Sequence, residues 1–336
     1  LYRSELAARL GGTLHGEDGV VAALRDPLDA TEHDVVCVLR DKYLPVALES
    51  RAGLLVLNGS TAVDRAHIRV SDIERAWIGL LEAFAPKLED PGIHPSAVIH
   101  PEAVLEDGVQ IGAHAVVARG ARIGRGAVIG SGSTVGENSV IGPDCQIYER
   151  ATIRHHCTLG ARCLVQSGAV IGEDGFGFHR DEHARHTRQA QIGTVEIADD
   201  VEIGSNTVID RGTVSATTIG PRTKIGPMCV IAHNSTVGAD VVMIGAVQLA
   251  GSMTIHDRVV LWGQVGSIGH LTIGEGAVVT AQSGISKNVP AGAIWRGAPA
   301  QDIKTQLRLE ARFMALEETE RRLKTLERAL LTHDSR

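Results

Sequence analysis

Aromatic residues are scarce in this sequence. Only 3% of its 336 residues are Phe, Trp or Tyr. The core of an ordinary globular domain draws on the large buried areas of such side chains. No run of 18 or more apolar residues occurs, so no transmembrane helix is expected. Positive charge is not in excess. The formal net charge is -7, which offers nucleic acid no basic field. The opening stretch LYRSELAARL has no basic head followed by an apolar segment, so it does not read as a signal peptide. The five cysteines are an odd count. With no secretion signal, that points to a reducing compartment, the cytoplasm.

Glycine is abundant, at 38 residues, and so is a period of six. From Ile93 an apolar residue returns at every sixth position, through Ile99, Leu105 and Ile111, as far as Leu159, Val165 and Ile171. The row resumes at Ile197, Ile203 and Ile209, and again from Ile219 to Ile285, where only Ser267 interrupts it. A lone helix would repeat at 3.6 and a lone strand at 2. A period of six suits a triangular parallel β-helix, with one unit per flat side and three units per coil. Residues i and i+18 then stack at about 4.8 Å.

A second small inward position falls four residues after each apolar one, as at Thr223, Cys229, Ser235, Val241 and Val247. Cys145, Cys157 and Cys163 fall there too. They read as small buried hydrophobes rather than disulfide partners or metal ligands. Glycines directly after the inward residue, such as Gly112, Gly124 and Gly130, are expected at corners that need unusual φ/ψ.

The rest of the chain lacks this period. Residues 1–90 read as a small α/β domain. SELAARLGG is an amphipathic helix with Ser4 as N-cap, VVCVLR and GLLVLN are strands, and a helix begins at Ser71 or Asp72 and stops at Pro86. The linker PKLEDPG follows. Residues 91–298 form the prism, interrupted by an ejected loop at 172–193, and such excursions usually serve a site or an interface. His179, His183 and His186 in this loop are spaced loosely like metal ligands, or are simply solvated. After Pro290 the coil is expected to end, with WRGAPAQ as a terminating loop. Residues 299–336 are a helical extension in which Leu316, Leu323 and Leu330 stand seven apart. That spacing suits a bundle seam or packing on the same subunit. Arg308, Arg312, Arg321, Arg322 and Lys324 there would face an acidic partner or water.

A prism has no deep cleft of its own, so outward ionisable residues are the site candidates. His233 follows Ile231-Ala232 and projects outward, with Asn234 beside it and Gly251 one coil on. A neutral imidazole accepts a proton from a nucleophile. The Gly251 N–H stabilises an oxyanion. Together they supply the minimum for acyl transfer from a thioester to an amine or hydroxyl. His270, where Ser267 breaks the row, is placed to bind a phosphate or assist the base.

At these residues the chain resembles a known family. IAHNSTVG, QLAGS and SIGH, together with GEDGFGF and VIDRG, resemble the UDP-3-O-(3-hydroxyacyl)glucosamine N-acyltransferases of lipid A synthesis. The order of small N-terminal domain, hexapeptide prism and C-terminal helix agrees along essentially the whole chain. The resemblance implies a left-handed β-helix, a homotrimer and a cytoplasmic location. It implies transfer of a 3-hydroxyacyl chain from acyl carrier protein to the 2-amino group of a UDP-glucosamine already acylated at O3. His233 matches the general base, Gly251 the oxyanion donor, and His270 a second site histidine. Asn234 supports the base. Asp174, Phe176 and Phe178 line the groove for substrate and for the phosphopantetheine arm, which enters as donor. No cofactor is held permanently and no metal is required. The N-terminal domain would hold the uridine, with Tyr43 stacking on the base or serving the fold. Lys42 and Tyr43 match the family, whereas Cys37 and Arg40 stand where its aromatic and Asn are expected. Three other readings compete: an O-acyltransferase, which usually has Asp after its catalytic His; an acetyl-CoA-dependent acetyltransferase of a nucleotide sugar; and a non-catalytic scaffold.

Overall fold

The computed structural model describes residues 1–85 and 92–333, with side chains as far as residue 327. The chain divides into two units, Leu1–Asp90 and Pro91–Arg336.

The first unit is built on a five-stranded sheet of Thr13–His15, Ala23–Leu24, Asp34–Cys37, Leu54–Leu57 and His67–Arg69. Its order is first, fifth, fourth, third, second. The first strand is antiparallel to the fifth, and the other pairings are parallel. Leu54–Leu57 is buried along its whole length, as expected of an apolar run inside a parallel sheet. The helix Ile73–Phe84 turns Ile73, Ala76 and Leu80 inward, and the Asp72 side chain accepts from Arg75 N–H at 3.0 Å. The first helix, Arg3–Arg9, departs from expectation. Tyr2 is its N-cap, and Ser4 Oγ instead donates to Asp18 at 2.6 Å. Pro86 and most of the PKLEDPG linker lie outside the described residues.

The second unit is the β-helix. Three sheets of nine, ten and eleven strands form its sides. Most strands are two residues long and pair in parallel with the residue eighteen places on, as in Val135↔Ile153 and Ile231↔Leu249, whereas across the inserted loop the partner lies further along, as in Ile171↔Ile209. The apolar row is buried from Ile111 onward, and all the small inward residues named above are buried with it. Ile93 is exposed because it forms the end coil, with a neighbour at Ile111 on one side. The small polar inward residues are satisfied between coils. Thr223 Oγ1 donates to Gly238 O (2.8 Å) and accepts from Val241 N–H (3.2 Å), so its burial costs little.

The corner glycines have a different cause from the one expected. Gly112 and Gly130 have ordinary φ. A Cβ on Gly112 would stand 2.7 Å from Ser131 N, and one on Gly130 2.6 Å from Tyr148 C, both in the next coil. Glycine is there because the coils leave no room. The left-handed residues lie two places further on and are often not glycine, as at Asn138, Asp144, Asn206 and Asn234. Asn and Asp tolerate that conformation best after glycine.

The C-terminal end also differs from expectation. The coil continues past Pro290. Ile294–Arg296 pairs in parallel with Val278–Val279, and Gln301–Asp302 folds back antiparallel on it. Two helices follow rather than one, Ile303–Met314 and Leu316–His333. Leu316 and Leu323 are exposed, and the Leu330 side chain lies outside the described residues.

Ile153 is wholly buried in the prism, whereas Val104 is about half exposed. Ile153→Ala is expected to destabilise the prism by about 2–5 kcal/mol, and Val104→Ala by less than about 0.5 kcal/mol. Thermal or denaturant unfolding of the two variants side by side checks this.

Candidate active site

His233 lies on the prism where the inserted loop returns to it. Its coil is fixed by Ala232 N–H donating to Leu249 O (3.1 Å) and by its own carbonyl accepting from Ser252 N–H (2.8 Å). The half-buried imidazole is held between two glycines. A Cβ on Gly251 would stand 2.7 Å from Cε1 and 2.8 Å from Nε2. A Cβ on Gly175, in the inserted loop, would stand 2.7 Å from Cδ2 and 2.8 Å from Cβ. Either alanine would push the ring aside. The predicted stacking of His233 against Gly251 is thus present, and the loop supplies a second wall.

Asn234 has φ 60° and connects the ring to the polypeptide. Its Nδ2 lies 3.0 Å from His233 Nδ1. Its Oδ1 accepts from Thr213 N–H at 2.7 Å. Because a backbone N–H only donates, this bond sets which way the amide faces in the free chain. Nδ2 also donates to Thr213 Oγ1 (3.2 Å), which in turn donates to the buried Gln191 Oε1 (2.9 Å). Asn234 therefore links the ring to a chain of hydrogen bonds that ends in the loop.

The Gly251 N–H donates to no group among the described residues. The matching corner N–H groups of Ala161 and Ala239 are capped by the carboxylates of Asp199 and Asp257, each at 2.8 Å. A free donor beside an imidazole is chemically equipped to receive an oxyanion.

The other expected residues are more dispersed. His270, exposed with φ 62°, stacks in the column of Asn234 and Ser252 rather than that of His233, its N–H on Gly251 O at 3.1 Å. The loop carries a hairpin of Phe178–Arg180 and His186–Arg188. Phe176 and Phe178 meet edge to face, with centroids 4.9 Å apart, and both are exposed. The Asp174 carboxylate is committed to arginines. Arg188 lies at 2.7 Å, Arg211 at 3.8 Å and Arg154 at 3.9 Å. The hydrogen bond from Arg188 does most to hold Asp174 below its usual carboxylate value. Tyr43, in the first unit, is half exposed with Lys42 Nζ 4.8 Å from its ring centroid. The cysteines are free. Burial pushes Cys37 up to about 12 and raises Cys157 and Cys229, so these three are not thiolate nucleophiles at neutral pH.

Sequence reasoning assigns no role to Gln191, Arg211 or Thr213, although Arg211 stands within VIDRG. Arg211 and Thr213 fall in a stretch where the period stumbles, and Arg211 stands two places after the inward Ile209, where a surface residue is expected. It is in fact almost wholly buried. The available signal was a charged residue beside an irregularity in an otherwise strict repeat.

Known proteins resemble this chain over nearly its whole length. Residues 88–175 match a family model described as the GMPPB C-terminal domain. A UDP-3-O-acylglucosamine N-acyltransferase of Paraburkholderia phymatum is 46% identical over 97% of this chain and 96% of its own. The chain belongs to the UDP-3-O-acylglucosamine N-acyltransferase family. Another member, from Coxiella burnetii, is 34% identical over 97% of both chains. Among solved structures, the UDP-N-acetylglucosamine acyltransferase of Arabidopsis matches with a TM-score of 0.58 and 25% identity, covering 62% of this chain and 73% of that one. The β-helix of the family member described here is left-handed.

One buried acid near the site sets a pH dependence. Asp210 is almost wholly buried, and its carboxyl group makes no hydrogen bond or ion pair among the described residues. Burial first, then the neighbouring Glu173 and Asp174 charges, push it up to about 7. The unfolded carboxyl ionises near its ordinary value of 3.8. Between these values the native state holds the extra proton, so stability falls as pH rises through that window, by at most about 4 kcal/mol. Asp210→Asn is expected to raise Tm over wild type at pH 8 and to lose that advantage by pH 4, as measured by calorimetry across the range.

Proposed function

We propose that the chain transfers a 3-hydroxyacyl group from acyl carrier protein to the 2-amino group of UDP-3-O-(3-hydroxyacyl)-glucosamine, in lipid A biosynthesis. The observation that carries this reading is the imidazole of His233 lying against Gly251, whose N–H is free, in a member of this family. His233 takes a proton from the amine as its nitrogen attacks the thioester carbonyl. The carbonyl electron pair moves onto oxygen, opposite the Gly251 N–H. Collapse of this intermediate forms the amide and breaks the C–S bond. The imidazolium returns the proton to the departing phosphopantetheine sulfur. Base and oxyanion donor each contribute on the order of 100-fold or more.

Nε2 is the ring nitrogen that Asn234 leaves free. For Nε2 to accept a proton, Nδ1 must carry the ring hydrogen. Asn234 must then offer its oxygen to the ring, although in the free chain that oxygen accepts from Thr213 N–H. Turning of this amide accompanies base action in the proposed mechanism.

The protein works as a homotrimer in this reading. Two open concavities among the described residues run along Leu164, Gly204 and Pro227 and along His100, Val116 and Glu137, and neither includes His233. The site is an open wall that a neighbouring prism would turn into a groove. Ile244, Trp262 and Ile268 are exposed on these coils and supply apolar surface for a second copy to cover. The exposed Phe176 and Phe178 would meet the acyl chain or the phosphopantetheine arm. Tyr43 would stack on uracil, and His270 would meet a phosphate. No cofactor is held permanently, and the reaction takes place in the cytoplasm.

Purified protein incubated with 3-hydroxyacyl carrier protein and UDP-3-O-acylglucosamine is expected to yield the amide, followed by mass. His233→Ala should lower the rate at least ~100-fold. Asn234→Asp, whose oxygens only accept, should retain more activity than Asn234→Leu. Equal activity in His233→Ala removes the histidine from the mechanism. Product only from UDP-N-acetylglucosamine, or only from acetyl-CoA, replaces the substrate assignment.

A further inference from the structure

Arg211 is the largest fully buried side chain among the described residues. A guanidinium keeps its charge in proteins, and burial is tolerated when its donors are matched in direction. Its Nε donates to Gly172 O (2.8 Å) and its Nη1 to Gly193 O (3.2 Å). Nη1 also donates to His155 Nε2 (2.7 Å), and Nη2 to His155 O (3.2 Å). Burial, then the Arg211 and Arg154 charges, hold His155 below its ordinary value, so its ring is neutral and free to accept.

Gly172 and Gly193 lie at the two ends of the inserted loop. One side chain therefore ties both ends together and fastens them to the preceding coil. A Cβ on Gly172 would meet Cys157 Sγ and the Arg211 guanidinium, so the loop leaves the prism pressed against this arginine. Two arms run from that clamp to His233. Gly175, three residues after Gly172, is one wall of the imidazole. Gln191, two residues before Gly193, anchors the chain through Thr213 and Asn234 to His233 Nδ1.

We infer that Arg211 is a positioning residue for His233, acting through the inserted loop whose two ends it clamps. The inference rests on the reading of His233 as the base. Arginine is required because its acceptors lie in several directions around a planar fork, which the single point charge of a lysine does not reproduce. The loop is then part of the catalytic apparatus and not an ornament on the prism.

The test compares Arg211→Lys, Arg211→Met and Thr213→Val with wild type. Thr213→Val breaks the second arm without touching the buried charge. Three readouts are needed: Tm; kcat and KM separately; and the rate at which diethylpyrocarbonate modifies His233, followed on its peptide by mass. Both arginine variants are expected to lose about 100-fold in kcat with KM little changed, as for a displaced catalytic group. Their His233 modification should change rate with kcat, at temperatures well below Tm. Thr213→Val should lose roughly ten-fold. Wild-type kcat and wild-type labelling in a folded Arg211→Met overturn the inference. So does a loss of activity that disappears on assay well below Tm. If Arg211→Met does not fold, wild-type behaviour of both Arg211→Lys and Thr213→Val overturns it. A wild-type protein without N-acyltransferase activity defeats the proposed function instead, and the His233 labelling still tests the clamp.

Discussion

Stacking of backbone on backbone, one coil every eighteen residues, is the constraint on which this structure depends. The N–H groups of the short strands reach carbonyls of the coils on either side, as Gln110 donates to Ala127 O and Ile111 to Gly92 O, and the apolar row is buried as a by-product of that register. The same close approach leaves no room at corners where one coil leans over another. Gly112 and Gly130 are glycines for that reason, whereas a Cβ on Gly251 would meet the His233 imidazole. The pairing of an imidazole with a bare N–H one coil away is a local use of the rule that builds the whole prism.

The prism alone provides only half of the site. Its repeat is strict, so it offers a column of similar corners and no enclosure. The excursion at 172–193 breaks that monotony. It returns Gly175 to the free face of His233 and Gln191 to the chain that holds Asn234. The ion pairs of Asp174 with Arg188, Arg154 and Arg211 hold the departing strand in place. Buried charge tolerated at such a point is better explained by fixed geometry than by stability, since buried ion pairs are often no better than apolar packing for stability.

The fold was legible because a period of six has few physical realisations. The row of Ile and Val residues predicts both the prism and the stacking of His233 on Gly251. The small inward cysteines follow from the same register. The reason for the corner glycines was not legible, because lack of room and left-handed backbone both select glycine. Only the positive φ of Asn138 and Asp144 separates the two causes. The break between the C-terminal helices at Ala315 left no mark stronger than an unremarkable Met-Ala-Leu. Arg211 and Thr213 were hidden for a deeper reason. They act between segments that are distant in sequence, and the irregular stretch containing them carries no period from which to infer direction.

The central claim is that acyl transfer occurs between the His233 imidazole and the Gly251 N–H. A crystal structure with an acylated phosphopantetheine bound tests it most directly. The account predicts the thioester carbonyl oxygen within about 3 Å of Gly251 N, with the carbonyl carbon open to a nucleophile on the His233 side. An acyl chain bound with its carbonyl turned away from Gly251, or seated on a part of the prism remote from His233, would contradict it.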